Sequence, residues 1–188
     1  LAAYTIMGNV DKFTTVSCFG LAGATAVILG KSIGEGASRD RVYDLSWCLL
    51  IVSFLLGLIL AGLLAVALPT LFIPYLYPLF SLSPLATRAA VMLCVVYLIL
   101  LPLKSFDISN ITGVLRAGGD VRMATVIDLT PLWGVAVPVS ALAALVFDAP
   151  LPVVCLGIYS ENLCKMPWGI HRLRSRKWIN DVTRRDAS

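Results

Sequence analysis

Hydrophobic positions in this chain come in long unbroken runs, with the charges pushed to their ends. No Asp, Glu, Lys or Arg occurs in residues 13–30, between Asp44 and Arg88, or in residues 129–147. A helix needs about 20 apolar residues to cross the hydrocarbon core of a bilayer. Barrel strands would alternate apolar and polar positions, so continuous runs predict helices. Five spans follow, at about 4–33, 45–68, 84–115, 123–147 and 151–173. Asn9, Asp11 and Lys12 place the polar start of the first near one interface, and Pro69 ends the second. Pro102 interrupts the third, while Pro131 and Pro138 fall inside the fourth. Membrane helices tolerate such prolines, which become hinge candidates. The expected fold class is all-α: a polytopic transmembrane bundle of five helices over residues 1–173, then a basic cytoplasmic tail at 174–188.

Composition agrees with this pattern. Hydrophobic residues make up 59% of the 188 and charged residues 14%, against about 25% charged in ordinary globular domains. One water-soluble core of this size could not hide so much apolar surface. Eleven of the fifteen basic residues fall in the first-to-second loop, the third-to-fourth loop and the tail. The opposite loops hold Arg88 alone, and Lys12, Lys104 and Lys165 lie in or at the ends of spans. The positive-inside rule makes the basic side cytoplasmic. The net charge of +4 is thus a topology signal. It does not point to nucleic acid, although the RLRSRKW stretch could touch anionic lipid heads.

The chain starts at Leu1, with a helical pattern already under way and no basic n-region or cleavage site of a signal peptide. An odd number of helices with an outside start leads to the expectation of a longer protein with more helices upstream. No long internal repeat appears within these residues.

Gly30, Lys31 and Ser32 superficially suggest a phosphate loop. That motif needs a Gly where Thr25 stands, and a strand before it where this chain has an apolar helix. The expectation is that Gly20, Gly23, Gly30 and Gly34 let neighbouring helices approach closely.

The third span carries KSFDISNITGVLRAGGD, placing Lys104, Asp107, Ser109, Asn110 and Thr112 in an otherwise apolar helix just after Pro102. A charge at mid-bilayer costs about 2.5–3.5 kcal/mol on insertion scales. Lys104 and Asp107 are three apart and share a face, so a pair between them is expected. Asp107, Lys104 and Asn110 are therefore candidates for an ion or substrate pathway. Asp128 in the fourth span is a further candidate, or else an interfacial carboxylate that reaches water or Arg122. Glu161 and Lys165, four apart, are expected to form a structural ion pair. His171 reads as plain surface. Trp168 and Trp178 read as interfacial anchors and Trp133 as packing.

Cys18, Cys48, Cys94, Cys155 and Cys164 all fall in spans, without a CxxC pair, and behave as small apolar residues. No nucleophile elbow and no HExxH occurs, so neither an enzyme nor a metal or other cofactor is expected.

The stretches AAYTI, GLAGATAVILGKSIGEG, ITGVLRAGGDVR, IDLTPLWGVAVP and SRKWIND together resemble the C-terminal lobe of a multidrug and toxic compound extrusion (MATE) transporter. The LRAGGD turn at residues 115–120 is the most specific part and the GKSIGEG turn the second. The resemblance implies the last five of twelve helices, with an N-terminal lobe of the same protein as partner. It implies a proton- or sodium-coupled antiporter in the plasma membrane, exporting drugs or organic cations. Some members place an acidic cation-site residue in the helix that here carries Asp107. Others couple through the first helix of the N-terminal lobe, so which residue couples stays open. A flippase for lipids or lipid-linked sugars, a non-transporting scaffold and, last, a membrane enzyme are the alternatives. A single lobe is not expected to transport, because alternating access rocks two lobes about one site.

Overall fold

The computed structural model describes residues 2–76, 78, 84–147, 149 and 151–180. Among these, regular structure is entirely helical and forms five rods. Helix α1 (Ala2–Gly34) is followed by a short turn and α2 (Arg39–Ala67), whose N-cap Ser38 accepts from the Arg41 N–H at 3.4 Å. Helix α3 spans Pro84–Ile108. The fourth rod is built from α4 (Val121–Pro131) and α5 (Val137–Leu145), and α6 is Leu151–Arg174.

Three stretches widen from α to π geometry. They are Leu68–Leu76 after α2, Ser109–Leu115 after α3, and Leu132–Ala136 between α4 and α5. The first corrects an expectation, because the second span does not end at Pro69. Proline lacks an N–H and crowds the carbonyl four residues back, and a widened turn accommodates both. The chain therefore stays helical through Pro69 and Pro74 to Leu76. Pro131 immediately precedes another widened turn, and Pro138 lies in the first turn of α5. Pro102 sits within regular helix, and the widening begins only at Ser109.

Four rods are long and apolar enough to cross a membrane: Met7–Gly34, Arg39–Tyr75, Thr87–Leu115 and Val121–Leu145. Helix α6 has the length as well, at 24 residues or about 36 Å. Its polar residues Asn162 and Lys165 are buried inside the bundle. Large apolar side chains such as Phe13, Val27, Ile59 and Leu145 point outward. In water that would be untenable, whereas in lipid it is the expected surface.

Helix α2 packs along α3, α1 lies against the 109–115 stretch, and α6 fills the space between α3 and α5. The glycines at these crossings differ from those expected. A Cβ at Gly20, Gly23, Gly30 or Gly34 would meet open space. Close approaches occur instead at other glycines, among them Gly57, where α2 meets Pro102, and Gly113, where a Cβ would lie 3.0 Å from the Ala22 carbonyl of α1. Sequence shows that a glycine is present but not which way it faces.

The chain after α6 folds back on the bundle. Trp178 is fully buried against Gly118, and its indole N–H donates to the Leu173 carbonyl at 3.0 Å. Asn180 N–H donates to the Gly118 carbonyl at 2.9 Å, and Arg172 holds Asp120 at 2.6 Å. Gly119 adopts φ +82 in this turn, a conformation that favours glycine. Trp178 is therefore a core residue and not an interfacial anchor. Trp133, expected to pack, is 68% exposed. Residues 181–188 of the basic tail lie outside the described residues.

Candidate ion-coupling site

Two apolar cores lie at opposite ends of the bundle. One gathers Leu29, Val42, Phe106, Val114, Ile127 and Trp178, and the other Met7, Leu68, Leu93, Tyr97 and Leu101. Between them runs a polar layer fed by α1, α2, α3, α4 and α6. The serines stitch part of it together: Ser105 donates to the Ser53 carbonyl at 2.7 Å, and Ser53 to Ser109 Oγ at 2.5 Å. Hydroxyl contacts of this kind hold membrane helices together where apolar burial cannot.

Asp107 and Asn110 occupy the middle of the layer, where α3 passes into its widened stretch. Asp107 is 3% exposed and Asn110 fully buried. Neither carboxylate oxygen of Asp107, and neither polar atom of the Asn110 amide, has a hydrogen-bond partner among the described residues. Asn110 points at α6, where a Cβ on Gly169 would lie 2.6 Å from its Nδ2. Buried polar groups without partners are rare and costly, and π-turns in membrane helices concentrate at functional positions.

The expected Lys104–Asp107 pair does not form. Lys104 instead binds Asp11 of α1, donates to Thr15 Oγ1 at 2.9 Å, and lies 5.5 Å from the Tyr97 ring centroid. Three residues advance a helix by about 300°, so the two side chains diverge by about 60°. That is enough for Lys104 to face α1 while Asp107 turns toward α6. Asp11, taken from the sequence as an interfacial residue, is thus part of the polar layer. The signal was available in outline, since Asp11 and Thr15 are one turn apart in an apolar helix and a buried lysine needs an acceptor.

The Asp128 side chain is 43% exposed, and among the described residues it forms no ion pair with Arg122. Its Oδ1 accepts from Lys165 Nζ at 2.9 Å, and the same lysine lies 3.4 Å from Glu161 Oε1. Lys165 is 8% exposed and bridges two carboxylates from two helices. Lys104, Asp107, Asp128, Glu161, Asn162 and Lys165 line one open cavity of about 200 Å³. The charged candidates Lys104, Asp107 and Asp128 therefore converge on one space with Glu161 and Lys165, although three helices supply them.

These features define a helical membrane bundle with a charged cavity among its helices. The MatE family profile matches residues 1–142, and the chain belongs to that family. It is 26% identical over 171 residues to the uncharacterized transporter YisQ of Bacillus subtilis (strain 168). That alignment covers 91% of this chain and 36% of the relative, so the chain spans about a third of the relative's length. No solved structure matches. The chain is thus a multi-pass membrane protein of a transporter family.

Proposed function

We propose that this chain is the C-terminal lobe of a proton- or sodium-coupled antiporter that exports drugs or organic cations across the plasma membrane. In this reading its basic end faces the cytoplasm. A companion lobe of the same protein closes the other side of the cavity. The observation that carries the proposal is Asp107, a buried carboxylate without a hydrogen-bond partner at the start of a widened helical turn.

An arriving cation supplies the partner that Asp107 lacks. Lys165 and its two carboxylates stand across the same cavity, so occupancy of Asp107 changes the balance of charge around α6. The π-turns after Ile108 and Pro131 give α3 and the fourth rod places to bend in response. Inward flow of one charge down 100 mV supplies about 2.3 kcal/mol to drive that change. Three carboxylates stand against two lysines in the cavity, beside the apolar Phe19, Ile108 and Ile111, a lining that suits an organic cation.

The test is Asp107→Asn in the full-length protein. Coupled efflux of a cationic dye from energised vesicles is lost, while membrane insertion and yield stay at the unsubstituted level. Ion-driven efflux that persists unchanged in this variant refutes the role of Asp107.

A further inference from the structure

A second cavity, of about 640 Å³, opens on the surface where α1 ends and α2 begins, away from the polar layer. Its rim is charged. Lys31 and Glu35 come from the end of α1, and Arg41 and Asp44 from the start of α2. Lys31 and Glu35 are 3.8 Å apart and largely exposed, a pair of little strength. No ion-pair partner within 4 Å among the described residues engages Arg41 or Asp44. The rim therefore offers two cations and two carboxylates, with the Ser32 hydroxyl beside them.

Its floor is apolar. Ile28, Leu45 and Cys48 line it. On α2 the exposed positions Arg41, Asp44, Cys48, Val52 and Leu55 fall three or four residues apart, so they form one stripe. That stripe is charged at the end of the helix and apolar below. The α1 side repeats the order, with Lys31 above exposed Ile28 and Val27. A charged mouth leading into an apolar furrow along two membrane-spanning helices matches a phospholipid, head at the mouth and acyl chain below.

We propose that this groove binds one phospholipid with a zwitterionic phosphoethanolamine head. Lys31, Arg41 and Ser32 hold the phosphodiester, and Asp44 with Glu35 holds the primary ammonium. Balanced rim charge selects a zwitterion over phosphatidylglycerol, which brings a phosphate for the cations but no cation for the carboxylates. A primary ammonium donates hydrogen bonds to a carboxylate, whereas the trimethylammonium of phosphatidylcholine donates none.

The experiment uses the full-length protein in nanodiscs of mixed phosphatidylethanolamine, phosphatidylcholine and phosphatidylglycerol, with co-purifying lipid counted by native mass spectrometry after graded delipidation. The unsubstituted protein retains one phosphatidylethanolamine to the last. Lys31→Gln with Arg41→Gln weakens retention of phosphatidylethanolamine by about a hundredfold, about tenfold for each charge-assisted hydrogen bond lost. Asp44→Asn with Glu35→Gln leaves a phospholipid bound but erases the preference for phosphatidylethanolamine over phosphatidylcholine. All four positions are exposed, so the variants fold, and their melting temperatures check it. Preference for phosphatidylglycerol in the unsubstituted protein overturns the proposal, as does unchanged retention in the Lys31–Arg41 double variant.

Discussion

Gly57→Ala tests the packing of the bundle most directly. A Cβ built at this position lies 2.6 Å from Pro102 Cα, 2.9 Å from Ser105 Cβ and 3.1 Å from the Leu101 carbonyl oxygen. Carbon atoms in contact sit about 3.5–4.0 Å apart, so α2 and α3 must separate by about 1 Å. The nearest obstacle is the backbone of a proline, which cannot rotate away as a side chain could. Overpacking costs about 1–3 kcal/mol. Separation also stretches the hydrogen bonds from Ser105 to the Ser53 carbonyl and from Ser53 to Ser109, at 2.7 and 2.5 Å. Each is worth about 1 kcal/mol. Alanine returns about 0.5–1 kcal/mol over glycine in helix propensity, leaving a net loss of about 2–3 kcal/mol. Gly23→Ala is the control, because the same methyl meets open space there and only the propensity gain applies. Unfolding of both full-length variants by titration with sodium dodecyl sulfate in mixed micelles measures the difference. Equal stability of the two variants refutes the crossing of α2 and α3 at Pro102.

Two further outcomes follow from the polar layer and the turn beneath it. Lys165→Met strips Asp128 and Glu161 of their shared cation. It costs about 3 kcal/mol as a broken buried pair, reduced because the Asp128 side chain is 43% exposed. Adding Asp128→Asn to that variant recovers part of the loss, and strict additivity in the double-mutant cycle would argue against the bridge. Trp178→Ala removes a fully buried indole from the Gly118 turn and lowers stability by about 3–5 kcal/mol. It also releases the backbone around the exposed Arg174, Arg176 and Lys177 for faster cleavage by trypsin, and cleavage there at the unsubstituted rate would contradict the folded-back arrangement.

How far the sequence reaches depends on whether a property is local. The third span runs over 84–115 both in hydropathy and in the structure, because lipid acts on each residue separately. Pro69 reads as a stop because its lost N–H is a local fact. The widened turn that accommodates it depends on how the whole helix is held, and so does not show in the sequence. The same division explains the glycines. Gly20 and Gly57 look alike in sequence, and only the positions of neighbouring helices make the second a contact and the first open space.

The polar layer takes this division one step further. Spacing correctly brings Glu161 beside Lys165, because positions four apart on one helix are neighbours whatever surrounds them. The same rule at three apart fails for Lys104 and Asp107, where Asp11 of α1 captures the lysine. A long, flexible lysine reaches across helices, whereas a short aspartate cannot follow it. The loss of that expected pair leaves Asp107 without a partner at the point where α3 widens. Had Lys104 neutralised Asp107 within its own helix, the charge would be a closed structural pair. Because α1 takes the lysine instead, the carboxylate stays without a hydrogen-bond partner among the described residues and lines the cavity that it shares with Lys165.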